Sequence, residues 1–214
     1  MIDRLTIDNQ FIIIYMLKKF TQGEIYIMDN TFNQPQSKQL LSTKRMVICA
    51  LFAALLCVSA YLSIPTPLPM APKITLMNFV IFLIALLFPV TESFLIGLVW
   101  FLLGVVGLPV FIGGGSGIGY LIAPYGAYTW AFPIVLIVLP LIRGKKYNRI
   151  WYTICGIIGV LIIDVIGMLY LQHSMSYDFK TAFLTGFVPF IPLDLVKAIV
   201  VAQIIPAFRK IMEV

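Results

Sequence analysis

The chain has 214 residues, 61% of them hydrophobic and 11% charged, with a formal net charge of +6 and a mean hydropathy of +1.01. Such a balance excludes an ordinary water-soluble domain and makes the bilayer the solvent. The positive charge does not indicate nucleic acid, because the basic residues flank apolar runs in short clusters and form no basic helix interleaved with aromatics.

In chain order, residues 1–43 fit no span. The apolar stretch 11–17 is too short to cross a bilayer and runs straight into Lys18 and Lys19. No small-residue cleavage site follows it, and residues 21–39 are polar and turn-rich. Residues 1–43 are therefore read as an N-terminal cytoplasmic tail, disordered or in part a mis-assigned start with Met28 as the initiator; a surface amphipathic helix is the other reading.

Residues 44–214 are expected to form one membrane domain. A span needs roughly 20 apolar residues, and the apolar runs predict helices at 46–64, 74–88, 93–111, 120–142, 150–171 and 192–208. Pro65, Pro67, Pro69 and Pro72 stop the first, Pro89 closes the second, and Gly113, Gly114, Gly115, Gly117 and Gly119 follow the third. Pro189 and Pro192 delay the last. Lys38, Lys44, Arg45, Arg143, Lys145, Lys146, Arg149, Arg209 and Lys210 then fall on one side of the membrane, with Lys73 and Lys180 opposite. By the positive-inside rule this predicts an all-α, polytopic protein of six transmembrane helices with both termini cytoplasmic. Cys49, Cys57 and Cys155 lie in apolar segments without metal-ligand spacing and read as small hydrophobes.

Charges inside hydrocarbon need a partner or a task. Asp194 and Lys197 are spaced i, i+3 near the outward end of the last helix, on one helical face. One reading is a helix cap plus an ion pair. The other is a solute site, with Lys197 offering charge to a carboxylate and Asp194 accepting N–H donors or orienting the lysine. Asn78, one turn into the second helix, either joins that site or makes an interhelical hydrogen bond. Asp164, mid-helix, contacts ligand or packs. Trp100, Tyr120, Tyr125 and Tyr128 can stack on a ring or serve as packing and interfacial anchors. The loops at 64–72 and 113–119 together suggest a lid, in which Gly113, Gly114 and Gly115 bring backbone close to a bound molecule. No phosphate-cradling Gly-x-x-x-x-Gly-Lys-Ser/Thr is present, so no ATPase is expected.

Four motifs resemble one family. They are Ala50-Leu-Phe-Ala-Ala54, Ile64-Pro-Thr-Pro followed by Ile74-Thr-Leu-Met-Asn78, Gly107-Leu-Pro-Val-Phe111 with its glycine run, and Ile191-Pro-Leu-Asp-Leu-Val-Lys197. Across about residues 44–210 the chain resembles BioY, the biotin-binding substrate component of energy-coupling factor transporters. It departs from the family pattern at Met77, Ala123, Tyr125 and Ala127. The resemblance implies biotin as transported ligand, no cofactor and no enzymatic activity. It places Asn78, Asp194 and Lys197 in the biotin pocket, with the end of biotin that each meets left open. It implies docking through Ala50 and Ala54 on a transmembrane coupling protein that works with two cytoplasmic ATPases, in a bacterial cell membrane. Alanines four apart also leave a smooth strip on which another helix can pack closely, within the bundle or from outside. Rival readings are a component for another vitamin and an intramembrane serine protease using Ser116 and His173.

Overall fold

A chain in hydrocarbon must satisfy its backbone N–H and C=O groups internally, so apolar runs of this length become helices. The structure, a computed structural model, describes residues 43–64 and 74–212, nearly all of them in one compact unit, Arg45–Val214. The tail reading for 1–42 and the proline-rich half of the expected lid, 65–73, lie outside the described residues.

Helix α1 spans Thr43–Ser59 and stops five residues short of the expected end. The chain instead forms a two-stranded antiparallel hairpin, β1 (Ser63–Ile64) with β2 (Ile74–Thr75), in the register Ser63 opposite Thr75. Helix α2 therefore begins at Met77 and runs only to Leu87. Helix α3, Val90–Val106, ends before the expected 111 because Gly107 adopts φ 114°. There the Gly107 N–H bonds the Gly104 carbonyl and the Leu108 N–H bonds the Leu103 carbonyl, the paired closure of a left-handed glycine cap.

The expected helix 120–142 is two helices, α4 (Gly117–Ile122) and α5 (Gly126–Ile142). Pro124 has no N–H to continue the ladder, and the Gly126 N–H turns back to the Ala123 carbonyl at 2.8 Å. Helix α6 covers Arg149–Met175, and Asn148 accepts from the Ile150 and Trp151 N–H groups at its start. A further helix, α7 (Phe179–Gly186), occupies what the prolines suggested was loop. Asp178 caps it, and the Thr181 hydroxyl and N–H hold the Asp178 carboxyl below the usual carboxylate range. Helix α8 is Ile191–Met212. Among the described residues α6 and α8 are long and apolar enough to cross a membrane by themselves, while α2, α3 and α5 are apolar but shorter.

Helix α2 sits at the centre, with ten of its eleven residues buried, and packs on α5, α6 and α8. Without a hydrophobic drive between helices in lipid, close approach depends on small residues. Gly156 faces Ala198 across the α6–α8 contact, where an added Cβ would lie 3.1 Å from the Ala198 Cβ. Gly159 faces Leu139 and Phe82, each 2.9 Å from such a Cβ. At the far end of α2, Arg143 is buried. Its Nη2 donates to the Phe88 carbonyl at 2.8 Å and its Nη1 to the Tyr152 hydroxyl at 2.8 Å. The sequence marks Arg143 as a topology charge; the fold uses it to satisfy carbonyls at the C-terminal end of α2. Glu92, also buried, pairs with Arg45 at 3.1 Å.

Gly159→Leu is expected to destabilise the bundle by about 1–3 kcal/mol, because the fully buried Leu139 and Phe82 would have to shift to admit it. Gly119→Ala, where an added Cβ meets nothing within 4 Å, should leave stability unchanged or raise it by up to about 1 kcal/mol. Thermal unfolding of the two variants in detergent checks the contrast.

Candidate solute-binding site

The N-terminal ends of α2 and α8 meet, and they carry the polar residues that the hydrocarbon would otherwise exclude. Asp194 lies in the first turn of α8 and is 3% exposed. Its two carboxylate oxygens are divided between partners. Lys197 Nζ donates to Oδ1 at 2.6 Å, and Asn78 Nδ2 donates to Oδ2 at 2.7 Å. Lys197 also donates to the Thr75 backbone carbonyl at 2.8 Å. The carboxylate therefore serves as a bridge between two helices and does not cap its own. The hairpin matters here, since ending α1 early and extending β2 leaves the Thr75 carbonyl free to meet the lysine.

Three buried polar atoms around this end of the bundle have no hydrogen-bond partner: Asn78 Oδ1, Asp164 Oδ2 and Tyr125 Oη. Asp164 comes from α6 and lies within electrostatic reach of Asp194 and Lys197. Tyr128, on α5, lies within reach of both aspartates. Its hydroxyl donates to the Gly186 carbonyl at 2.5 Å, so α7 is tied to the same region. Its ring lies where a side chain at Gly167 would have to go. A buried polar group left without a partner costs about 1–3 kcal/mol, so each of these atoms leaves room for one further hydrogen bond near the charged cluster.

The structure brings Asn78, Asp194 and Lys197 together, with Asp164 near them. Trp100 and Tyr120 are placed differently. Trp100 is fully enclosed by Phe101, Phe111 and Phe132, and its Nε1 donates to the Val110 carbonyl at 2.8 Å. That makes it a support for the loop after α3 and leaves no open face for a ligand ring. Tyr120 stacks on Phe111 with centroids 5.5 Å apart and its hydroxyl reaches the Ile112 carbonyl at 3.3 Å. Tyr125 keeps an unpartnered hydroxyl. In the glycine run, Gly113 and Gly114 take φ of 69° and 80°, which only glycine adopts easily. Gly113 donates to the Ala60 carbonyl at 2.9 Å, and the Gly115 Cα faces the Tyr120 ring. The run thus joins the end of α1 to α4. Ser116 and His173 share no hydrogen bond.

On α1, Ala50 and Ala54 are both exposed while Ala53 faces the bundle. The two alanines line an apolar groove of about 570 Å³ with Val99, Leu103 and Pro109.

A family model described as the BioY family matches residues 33–214. The chain belongs to the BioY family. A protein of Thermotoga maritima named "Biotin transporter BioY" is 34% identical over 169 residues, covering 78% of this chain and 97% of that protein. A "Probable biotin transporter BioY" of Pyrococcus horikoshii is 36% identical over 160 residues, covering 74% and 91%. Among solved structures, the S-component for biotin from an ECF-type ABC transporter matches with a TM-score of 0.69 and 25% identity, over 78% of this chain and 91% of that one. BioY is thus a transporter family and not an enzyme family, with an all-helical membrane S-component fold that the small β1–β2 hairpin only punctuates.

Thr75 and Tyr128 belong to the described site, and Thr75 carries no role in the sequence reading. Thr75 acts through its backbone, which no residue type announces.

Removing the lysine alone strands a buried carboxylate, whereas removing both charges does not. Lys197→Met is therefore expected to cost about 2–3 kcal/mol, and Asp194→Asn combined with Lys197→Met less than the sum of the two single changes. Thermal unfolding of the cycle should give a coupling of about 1–3 kcal/mol; additive losses would mean the two charges do not depend on each other.

Proposed function

We propose that this chain binds biotin from the outer side of a bacterial cell membrane and delivers it to an ATP-driven coupling module. The observation that carries this reading is the Asn78–Asp194–Lys197 cluster, closed on itself yet flanked by unpartnered Asn78 Oδ1 and Asp164 Oδ2, in a chain of the BioY family. Six helices, α1, α2, α3, α5, α6 and α8, form the multi-pass domain of residues 44–214. Both termini are cytoplasmic, and lipid surrounds the bundle.

Charge decides which end of biotin enters the cluster. Lys197 is already held by Asp194 and the Thr75 carbonyl, so its charge is balanced one-to-one before a ligand arrives. A ligand carboxylate would add a second negative charge against that single ammonium in a dry site. The ureido ring is neutral, with two N–H donors and one carbonyl acceptor. Its donors suit Asp164 Oδ2 and Asn78 Oδ1, and its carbonyl suits the remaining Lys197 proton. The valerate carboxylate then lies toward the outside, beside the glycine run. This reverses the sequence expectation that Lys197 meets a carboxylate.

Lys197→Ala is expected to weaken biotin binding about ten- to a hundredfold. Biotin methyl ester should lose affinity by the same factor, because the lost contact is to the ring. Equilibrium binding of both ligands to purified wild-type and variant protein checks this. A variant that loses affinity for biotin but not for the ester would place the carboxylate at Lys197 instead.

Ala50 and Ala54 provide the surface for the transmembrane coupling protein, which works with two cytoplasmic ATPases. Both are exposed, and small residues four apart let a second helix approach closely. Ala54→Leu is expected to abolish uptake in cells while leaving biotin affinity within about twofold, since it lies on the surface and not in the cluster. Equal loss of both would assign the strip to the fold.

A further inference from the structure

The opposite end of the bundle carries positive charge that solute binding does not use. Arg143, at the C-terminal end of α5, and Arg209, in the last turn of α8, both donate to the Tyr152 hydroxyl. Both guanidinium groups also lie over the Tyr152 ring, 5.9 and 5.3 Å from its centroid. A phenol offers lone pairs and a π face but no negative charge. Among the described residues, the ion pairs are Arg45–Glu92 and Lys197–Asp194, and no carboxylate faces either arginine. Arg143 is only 7% exposed, and its Nε has no hydrogen-bond partner. Among the described residues, two guanidinium groups from different helices therefore converge with no carboxylate in ion-pair contact. Arg149 and Lys210, exposed at the same helix ends, add to the excess.

The surroundings are apolar. Ile150, Trp151 and Ile211 are 73%, 44% and 78% exposed, and Trp151 Nε1 donates to the Ile142 carbonyl at 2.9 Å, which fixes the indole at the end of α5. In a bilayer these side chains already lie against lipid, so the anion presented to the arginines at highest local concentration is a lipid headgroup. A phospholipid supplies both a phosphate and acyl chains.

We propose that the Arg143–Tyr152–Arg209 cluster is a binding site for the phosphate headgroup of an anionic phospholipid. Arg209 contacts the phosphate, as a guanidinium can do with two parallel N–H donors. Arg143 and Tyr152 hold Arg209 in position, and the acyl chains lie along Ile150, Trp151 and Ile211. The proposed topology enters in one respect, which is that it puts the site in the cytoplasmic leaflet.

Native mass spectrometry of the purified chain, released from micelles containing phosphatidylglycerol and phosphatidylcholine, tests the site. The wild type should retain phosphatidylglycerol in preference to phosphatidylcholine. Arg209→Gln should lower that preference about fivefold, the contribution of one basic residue near a lipid surface. Arg209→Lys, which keeps the charge without the paired donors, should fall between. Lys180→Gln, on α7 at the other end, should match the wild type. Arg143 is not varied, because it also satisfies the end of α2. No preference in the wild type, or full preference in both Arg209 variants, would overturn the proposal. Displacement of the bound lipid by millimolar inorganic phosphate would overturn the lipid as occupant and leave a free-anion site. No arm contains biotin, so failure of biotin binding would count against the proposed function and leave the lipid result standing.

Discussion

A carboxylate placed among packed helices has to be answered by donors; Asp194 has two, and a carbonyl of a third segment holds one of them in place. Lys197 comes from its own helix, Asn78 from α2, and the Thr75 carbonyl, through the lysine, from β2. Those bonds fix how the N-terminal ends of α2 and α8 approach, which in turn fixes the hairpin and where α1 must end. In a bilayer such directional contacts count heavily because apolar burial alone does not favour one helix neighbour over another. The same bonds leave Asn78 Oδ1 facing an unfilled obligation. Structural closure and readiness for a solute are therefore properties of one cluster.

Both ends of α2 obey one rule. At the N-terminal end a side-chain amide and a lysine organise the polar groups; at the C-terminal end Arg143 takes the exposed carbonyls of Leu87 and Phe88. Between them nearly every side chain is apolar and enclosed. Glycines on α6 let α2, α5 and α8 come close enough for these terminal bonds to form. Packing sets the distance, and polar groups set the register.

How much of this the sequence discloses depends on the kind of signal. Long apolar runs mark the helices, and the i, i+3 spacing of Asp194 and Lys197, with Asn78 far off in sequence, marks the cluster. Helix ends are less legible. Gly107 and Pro124 carried the stops of α3 and α4, but each sits inside an apolar run whose hydropathy continues across it. Helix α7 escaped notice because eight residues cannot make a span and Pro189 lies just beyond. The roles of Trp100 and Tyr120 depend on what packs around them, and the aromatic neighbours come from residues up to 32 positions away, as Phe132 does from Trp100. Arg143 resembled any other cationic flank until its partners were known. Function was legible through the family motifs, whereas the proposed orientation of biotin depends on the charges gathered in the assembled site.

The brevity of α2 has an electrical consequence. Eleven residues rise about 16 Å, roughly half the thickness of the hydrocarbon core. In the proposed topology the Arg143 end lies at the cytoplasmic boundary, which would put Asn78 about half-way into the hydrocarbon. A charge carried that far crosses a substantial part of the transmembrane voltage, and a full crossing costs or yields about 2.3 kcal/mol per 100 mV. An anion entering charge-first toward a negative interior would meet that opposition. Under the proposed orientation the neutral ring travels to mid-depth and the charge stays in the shallow part of the field. On that proposal, capture from outside would depend weakly on the membrane potential, and the energy input would fall at the later step on the proposed coupling module.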